Sequence, residues 1–392
     1  MTDNAKPCIL YDNRFNDTTI VSNSTASGYD ANNIGDLRPF TWWKEAAKTN
    51  LEANGASWTG ASGATPPTGW DVLTAGTFGI SGGYLTITKN ALDDPAIYNE
   101  YAVTIGKKYR VSCILRKTGA LAAVPTMIVH IPAGAVYGTE TQAAAGAGVH
   151  TVIFTATDTT LRVTLVQDTA TAEAGWFDSL TVYEVATIAA ANPLGGTADT
   201  LAIVGHNLFT ALAVVSVESS TDEVTWTERL AGFTPTSDKA LLVKFTASAT
   251  AVHWRVVIAT SSVAAQIAVC LLGTRMDFER FPSGNFDPAP EKLNGVAARS
   301  KMGHMVGATL QNIGIEIRAD FKSLTPAWIE ATFRPAWDDH LSLLKPFFFA
   351  WDTANHPADV YFVSIPEGFD LRMPFDPFRR SLSLIMEGIK ET

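Results

Sequence analysis

Short runs of β-branched and aromatic residues, separated by turn formers, constrain this chain more than any other feature. Tyr84-Leu-Thr-Ile-Thr, Tyr109-Arg-Val-Ser-Cys-Ile-Leu, Thr151-Val-Ile-Phe-Thr-Ala-Thr, Leu161-Arg-Val-Thr-Leu-Val and Leu180-Thr-Val-Tyr-Glu-Val are five such runs. Gly82-Gly83, Gly106, Gly119 and the stretch Gly146–Gly148 punctuate them. Residues that fit a pleated surface, separated by turn formers at short intervals, predict an all-β sandwich rather than alternating strands and helices. Helices are expected only at Arg38–Ala47 and Trp337–Lys345. Ser381-Leu-Ser-Leu-Ile-Met alternates over its first four residues and predicts a late strand.

With 392 residues, 46% of them hydrophobic and 17% charged, the chain is no disordered polymer. At this length it buries enough apolar surface to fold without disulfides or metals. Its three cysteines, Cys8, Cys113 and Cys270, are far apart and form neither a disulfide framework nor a zinc motif. The balance of 29 basic and 39 acidic residues leaves a net charge of −10, with no Lys/Arg cluster beyond pairs such as Lys107-Lys108 and Arg379-Arg380. Nucleic acid is therefore not an expected partner. The first residues lack a secretory signal, and the most apolar stretches, Leu201–Val217 and Val252–Leu272, are broken by His206, Asn207, Arg255 and Gln266. A soluble, cytoplasmically made protein without membrane insertion is the expectation.

Charge is unevenly distributed. From Arg275 to the end there are 13 basic and 16 acidic residues, whereas between Lys117 and Arg162 the only charges are Glu140 and Asp158. With the loop Pro282-Ser-Gly-Asn-Phe-Asp-Pro-Ala-Pro close behind, this places a boundary near residue 275.

Two further segments carry a resemblance. Residues 17–44, with Gly28-Tyr-Asp-Ala-Asn-Asn-Ile-Gly-Asp-Leu-Arg-Pro-Phe-Thr-Trp-Trp, and residues 199–229, with Leu201-Ala-Ile-Val-Gly-His-Asn-Leu and Ser220-Thr-Asp-Glu-Val-Thr-Trp, resemble the two halves of a discoidin-like, galactose-binding-type β-sandwich. The roughly 150 residues between them open on Asn50-Leu-Glu-Ala-Asn-Gly-Ala-Ser-Trp and close on Trp176-Phe-Asp-Ser-Leu-Thr-Val-Tyr-Glu. They are similar to the jelly-roll carbohydrate-binding modules of polysaccharide-degrading enzymes and phage tail decorations. The organisation implied is mainly β: residues 1–46 and 188–275 as a discontinuous discoidin-like sandwich, 47–187 as an inserted jelly roll, and 276–392 as a β-rich assembly domain.

Taken in order, these motifs and the C-terminal Leu324-Thr-Pro-Ala-Trp-Ile-Glu, Pro346-Phe-Phe-Phe-Ala-Trp-Asp and Arg380-Ser-Leu-Ser-Leu-Ile-Met resemble bacteriophage tail-tip and baseplate proteins. The resemblance implies a non-enzymatic virion protein of a long-tailed phage, made in the host cytoplasm and carried in the tail. It would form a cyclic homo-oligomer beside other tail proteins and project the inserted module outward. The alternative is an adhesin or receptor-binding protein that holds host-surface polysaccharide through the insert.

Candidate site residues follow. Trp58, Trp70, Tyr84, Tyr98, Tyr101 and Trp176 offer ring faces to sugars, with Trp58, Trp70 and Tyr98 taken as the glycan contacts. Asp178 matches the family's position near a structural calcium, a cation that wants several oxygens; no other cofactor is implied. The aromatic run Phe347, Phe348, Phe349 and Trp351, after Trp328 and Trp337, reads equally as a core strand or as an assembly interface. His206 either fixes the Asp30–Asp36 loop or, with Asn207, is a ligand group at the sandwich rim. Trp42, Trp43 and Trp226 are expected to anchor the sandwich, with Trp42 and Trp43 on opposite faces so that one of the pair can reach an interface. Catalytic motifs are missing; the pairs Glu330 with Asp338-Asp339 and Asp352 with Asp359 are the nearest to a carboxylate couple.

Overall fold

A computed structural model describes residues 6–15, 20–39, 41–48, 50–52, 58–89, 94–117, 124–132, 134–168, 174–190, 196–223, 225–247, 251–260, 263–284, 286–288, 291–373 and 378–389. The protein is mainly β, built from antiparallel sheets. It divides into two units, Ala47–Val185 and the remainder, Met1–Ala46 with Ala186–Thr392.

Ala47–Val185 is a sandwich of two five-stranded sheets. One has the order Val136–Thr141, Val124–His130, Thr160–Asp168, Ala96–Ala102, Asp71–Thr74; the other Gly146–Thr155, Lys108–Lys117, Ala174–Glu184, Tyr84–Thr88, Thr77–Ser81. Alternation builds the core. Val111, Cys113 and Leu115 point inward from one sheet and meet Ile97, Leu161, Val163 and Leu165 of the other, while Ser112, Ile114 and Arg116 take the outward positions. Each such buried side chain stabilises the fold by about 1.5–3 kcal/mol. Gly82 and Gly83, at φ of +58° and +87°, close the hairpin in which Ser81 pairs with Tyr84. Two residues in the left-handed region match the twist of the strands they join, and only glycine adopts it without cost.

The other unit holds a second sandwich and a third layer. Its five-stranded sheet runs Thr227–Phe233, Val214–Ser220, His253–Ala259, Ala186–Ala190, Ile20–Ser22 and its four-stranded sheet Leu241–Lys244, Thr200–His206, Gln266–Gly273, Trp43–Lys44. Trp43, Ile203, Val217, Trp254 and Ile267 belong to the core between them.

The third layer is a seven-stranded sheet, Met276–Asp277, Cys8–Leu10, Phe347–Ala350, Val360–Ser364, Arg380–Ile389, Met305–Leu324, Lys292–Arg299. Here the structure departs from the expected organisation. Cys8–Leu10 lies in this C-terminal sheet, and Leu10, Phe348 and Ala350 share a core with Ala202, Val204 and Leu271 of the four-stranded sheet. That shared apolar layer is why the residues after 275 group with the split sandwich instead of forming a third unit.

Among the described residues the expected helix over Arg38–Ala47 does not form. Asp36 accepts the Arg38 amide and the Thr41 hydroxyl, and the chain then enters the strand Trp43–Lys44. A carboxylate that bonds its own downstream backbone offers an alternative to the helical ladder. Near the second expected helix, Arg334–Asp339 is α-helical and Leu341–Leu343 forms a 3-10 turn.

Candidate functional site

Trp58 and Trp70 are each only 4% exposed, and their rings meet edge to face at 5.6 Å inside the core of Ala47–Val185. Tyr101 is buried as well, its hydroxyl donating to the Glu52 carboxylate, which raises the phenol pKa on top of burial. This corrects the reading of the two tryptophans as sugar contacts: rings enclosed by core side chains offer no free face.

Two of the named aromatics, Tyr84 and Trp176, lie partly exposed on the outer face of the sheet containing Ala174–Glu184. Trp176 and Phe177 point to opposite sides of that strand; Phe177 is fully buried and Trp176 only partly. Trp176 stands opposite Arg116 on one neighbouring strand and Thr86 on the other. Tyr84, two residues before Thr86, packs edge to face on Trp176 at 5.9 Å. The Arg116 guanidinium lies 5.3 Å from the Tyr84 ring centre and 5.2 Å from that of Trp176. Asp178 follows Trp176 on the same face, and immediately after it the strand bulges, with Ser179 at φ +50° and the register broken between Asp178 and Thr181. Bulges re-aim side chains in this way beside binding sites.

What distinguishes this face is that its polar ends are unspent. Among the described residues no protein group hydrogen-bonds the Tyr84 hydroxyl, the Trp176 indole N–H, the Arg116 guanidinium or the Asp178 carboxylate. Two partly exposed rings, the guanidinium fork that lies over them and a carboxylate acceptor thus stand on one side of one sheet. Asp178 stands apart from other acidic side chains: among the described residues no group of three or more His, Cys, Asp or Glu side chains gathers around it.

The outer face of the opposite sheet presents the contrasting case. Tyr98 is partly exposed, but Arg162 covers its ring at 4.2 Å and is itself held by Glu100 through Nε at 2.9 Å. His130 donates from Nδ1 to the Ile131 carbonyl, and its Nε2 lies 2.8 Å from the Thr164 hydroxyl. Burial, with the Arg162 charge, keeps that imidazole below its usual pKa. Here the polar groups satisfy one another.

In the other unit, Trp43 is fully buried and Trp42 is 44% exposed, as adjacent strand residues require. Trp226 is not a core anchor; it lies over the guanidinium of Arg255 at 4.0 Å, above the buried Arg255–Glu218 ion pair. His206 is buried and its Nδ1 accepts the Leu208 amide, so it braces its own turn and not the Asp30–Asp36 loop. Asn207 pins the same turn through the Gln266 amide and the Ala264 carbonyl.

Of the aromatic interface candidates, the three phenylalanines are core. Phe347, Phe348 and Phe349 are wholly buried, Phe348 on one face of the sheet and its two neighbours on the other, while Trp328, Trp337 and Trp351 pack partly buried against the cluster that holds Phe347 and Phe349. A strand covered on both faces reads as a continuous apolar run. Asp352 caps the Ala354 and Asn355 amides, and Asp359 accepts the Trp351 indole N–H. Glu330 is exposed in the short helical stretch that ends at Asp339.

No protein-family model and no curated protein sequence matches the chain. Among solved structures it is similar to TmCBM61 in complex with β-1,4-galactotriose, at 12% identity over 35% of this chain and 99% of that one, TM-score 0.26. A CBM4 structure is similar at 16% identity, over 44% and 98% of the two chains, TM-score 0.24. The enzymatically active domain of tailspike protein 4 from bacteriophage CBA120 is similar at 6% identity, over 34% and 21%, TM-score 0.27. At TM-scores this low the likenesses say nothing of ligand, partner or role.

Proposed function

We propose that this is a non-enzymatic β-sandwich protein whose Ala47–Val185 unit binds a glycan on the Tyr84–Trp176–Arg116 face. Polar ends without hydrogen bonds among the described residues, beside two partly exposed rings, support this reading. A pyranose ring is apolar on its C–H faces and polar at its rim. It stacks on Trp176 or Tyr84 while its hydroxyls accept from Arg116 and donate to Asp178. The class of ligand is a neutral or weakly charged surface polysaccharide of a bacterial host. Screening the full chain on a glycan array tests this. Binding to at least one glycan class is expected, reduced tenfold or more by Trp176→Ala and little changed by Tyr98→Ala. A blank array, or loss through Tyr98 and not Trp176, sinks the reading.

A second reading, a structural component of a phage tail tip or baseplate that assembles as a ring, is favoured by a separate observation. The C-terminal sheet ends in a long ribbon whose apolar side chains are exposed. Light scattering of the purified chain tests it, with a defined oligomer expected and a monomer at high concentration against it.

A further inference from the structure

Strands Lys292–Arg299 and Met305–Leu324 form a hairpin that outruns its sheet. The neighbouring strand Arg380–Ile389 pairs with the long strand only from Gly314 onward, so residues 294–312 pair with nothing but each other among the described residues. Nearly every position in this arm is exposed, including Leu293 at 70%, Val296 at 63%, Met305 at 61%, Val306 at 71% and Leu310 at 56%. A lone two-stranded ribbon is marginal in water, and edge strands are normally blunted by charge or proline. Leu293 to Ala298 has neither.

We propose that the arm is the self-association element of the protein, docking on a second copy of this chain. The inference rests on the assembly reading and goes further by naming the element and its partner. Charge selects the partner. Residues 292–311 carry Lys292, Arg299 and Lys301 and no carboxylate, whereas the chain as a whole has 39 acidic residues against 29 basic. Arg299 and Lys301 form no ion pair among the described residues. A basic, apolar ribbon on an acidic protein complements the remainder of another copy. The arm also has the size of one side of a standard interface, about 20 residues. Open backbone on both edges lets it add to a sheet of the neighbour, with Val296, Val306 and Leu310 as side-chain anchors.

Sedimentation of the full chain at several concentrations and two salt concentrations tests the proposal. Two variants are compared with the wild type: Val306→Asp with Leu310→Asp, and Arg299→Glu with Lys301→Glu. Both change positions outside every core cluster, and thermal melting of each verifies the fold. A salt-sensitive wild-type oligomer, with dissociation constant raised at least tenfold in both variants, is expected. Oligomers that persist in both folded variants overturn the role of the arm and leave the assembly reading standing. A wild-type monomer overturns both, and would do so equally if the arm instead bound anionic lipid vesicles.

Discussion

Trp58→Ala separates a core tryptophan from a binding one. Trp58 is 4% exposed and packs on Trp70 within the core of Ala47–Val185. A buried indole removes about 150–250 Å² from water, worth ~4–6 kcal/mol at ~25 cal/mol per Å². Measured large-to-small changes of this kind cost about 3–5 kcal/mol, so ~4 kcal/mol is the expected loss. Ala47–Val185 is about 140 residues long, and at ~2.1 cal/mol/K per residue its unfolding entropy is ~0.3 kcal/mol/K. If the unit melts cooperatively on its own, its transition falls by ~14 °C. Calorimetry of the full chain reads this directly. Trp176→Ala, on the solvent side of the same sandwich, should lower the transition by less than about a third of that amount. A Trp58→Ala protein that melts within ~3 °C of wild type would refute the placement of this ring in the core.

Other consequences can be checked in parallel. Arg255→Met removes the counter-charge of buried Glu218, 2.7 Å away, and should cost about 3–5 kcal/mol by urea unfolding; an unchanged midpoint would contradict the buried pair. Burial lowers the pKa of His206 and of His340 below 6.5, so the unfolded chain takes up protons first as pH falls. Stability from these groups is full above pH 6.5 and is lost as pH drops towards their folded pKa values. The urea midpoint should therefore be lower at pH 5.5 than at 7.5, with a smaller difference in His206→Gln. Burial pushes the Cys8 thiol up to about 11 and Cys270 up to about 12, and raises Cys113 further. All three should resist a thiol reagent until the protein unfolds, and fast labelling of the native chain would contradict their burial.

Much of the fold was legible because strands declare themselves locally. Tyr84-Leu-Thr-Ile-Thr is a strand over those same residues, and the Gly82-Gly83 pair that marked its start is the hairpin turn. Which aromatics face out was not legible. Trp58 and Trp70 lie outside the regular strands, where no alternation says which way a ring points. Trp176 lies in a strand, and its outward direction follows from Gly175 and Phe177 on either side of it. Arg116 falls on the solvent side of an alternating strand, but its place opposite Trp176 comes from strand pairing, which no local pattern encodes. The run Phe347–Phe349 is ambiguous by nature, because a strand buried on both faces and an exposed interface have the same composition. The arm gave the weakest signal: small residues such as Gly295, Ala297, Ala298 and Gly307 hide a hairpin that only pairing reveals.

The most direct test of the glycan-binding face is an indole ¹⁵N–¹H spectrum of the full chain, titrated with a glycan that scores on the array. Ten tryptophans give ten signals, and Trp58→Phe, Trp70→Phe and Trp176→Phe identify three of them. The Trp176 signal should move with saturable dependence on glycan while those of Trp58 and Trp70 stay in place. Movement of Trp58 or Trp70 with a stationary Trp176 would contradict the account.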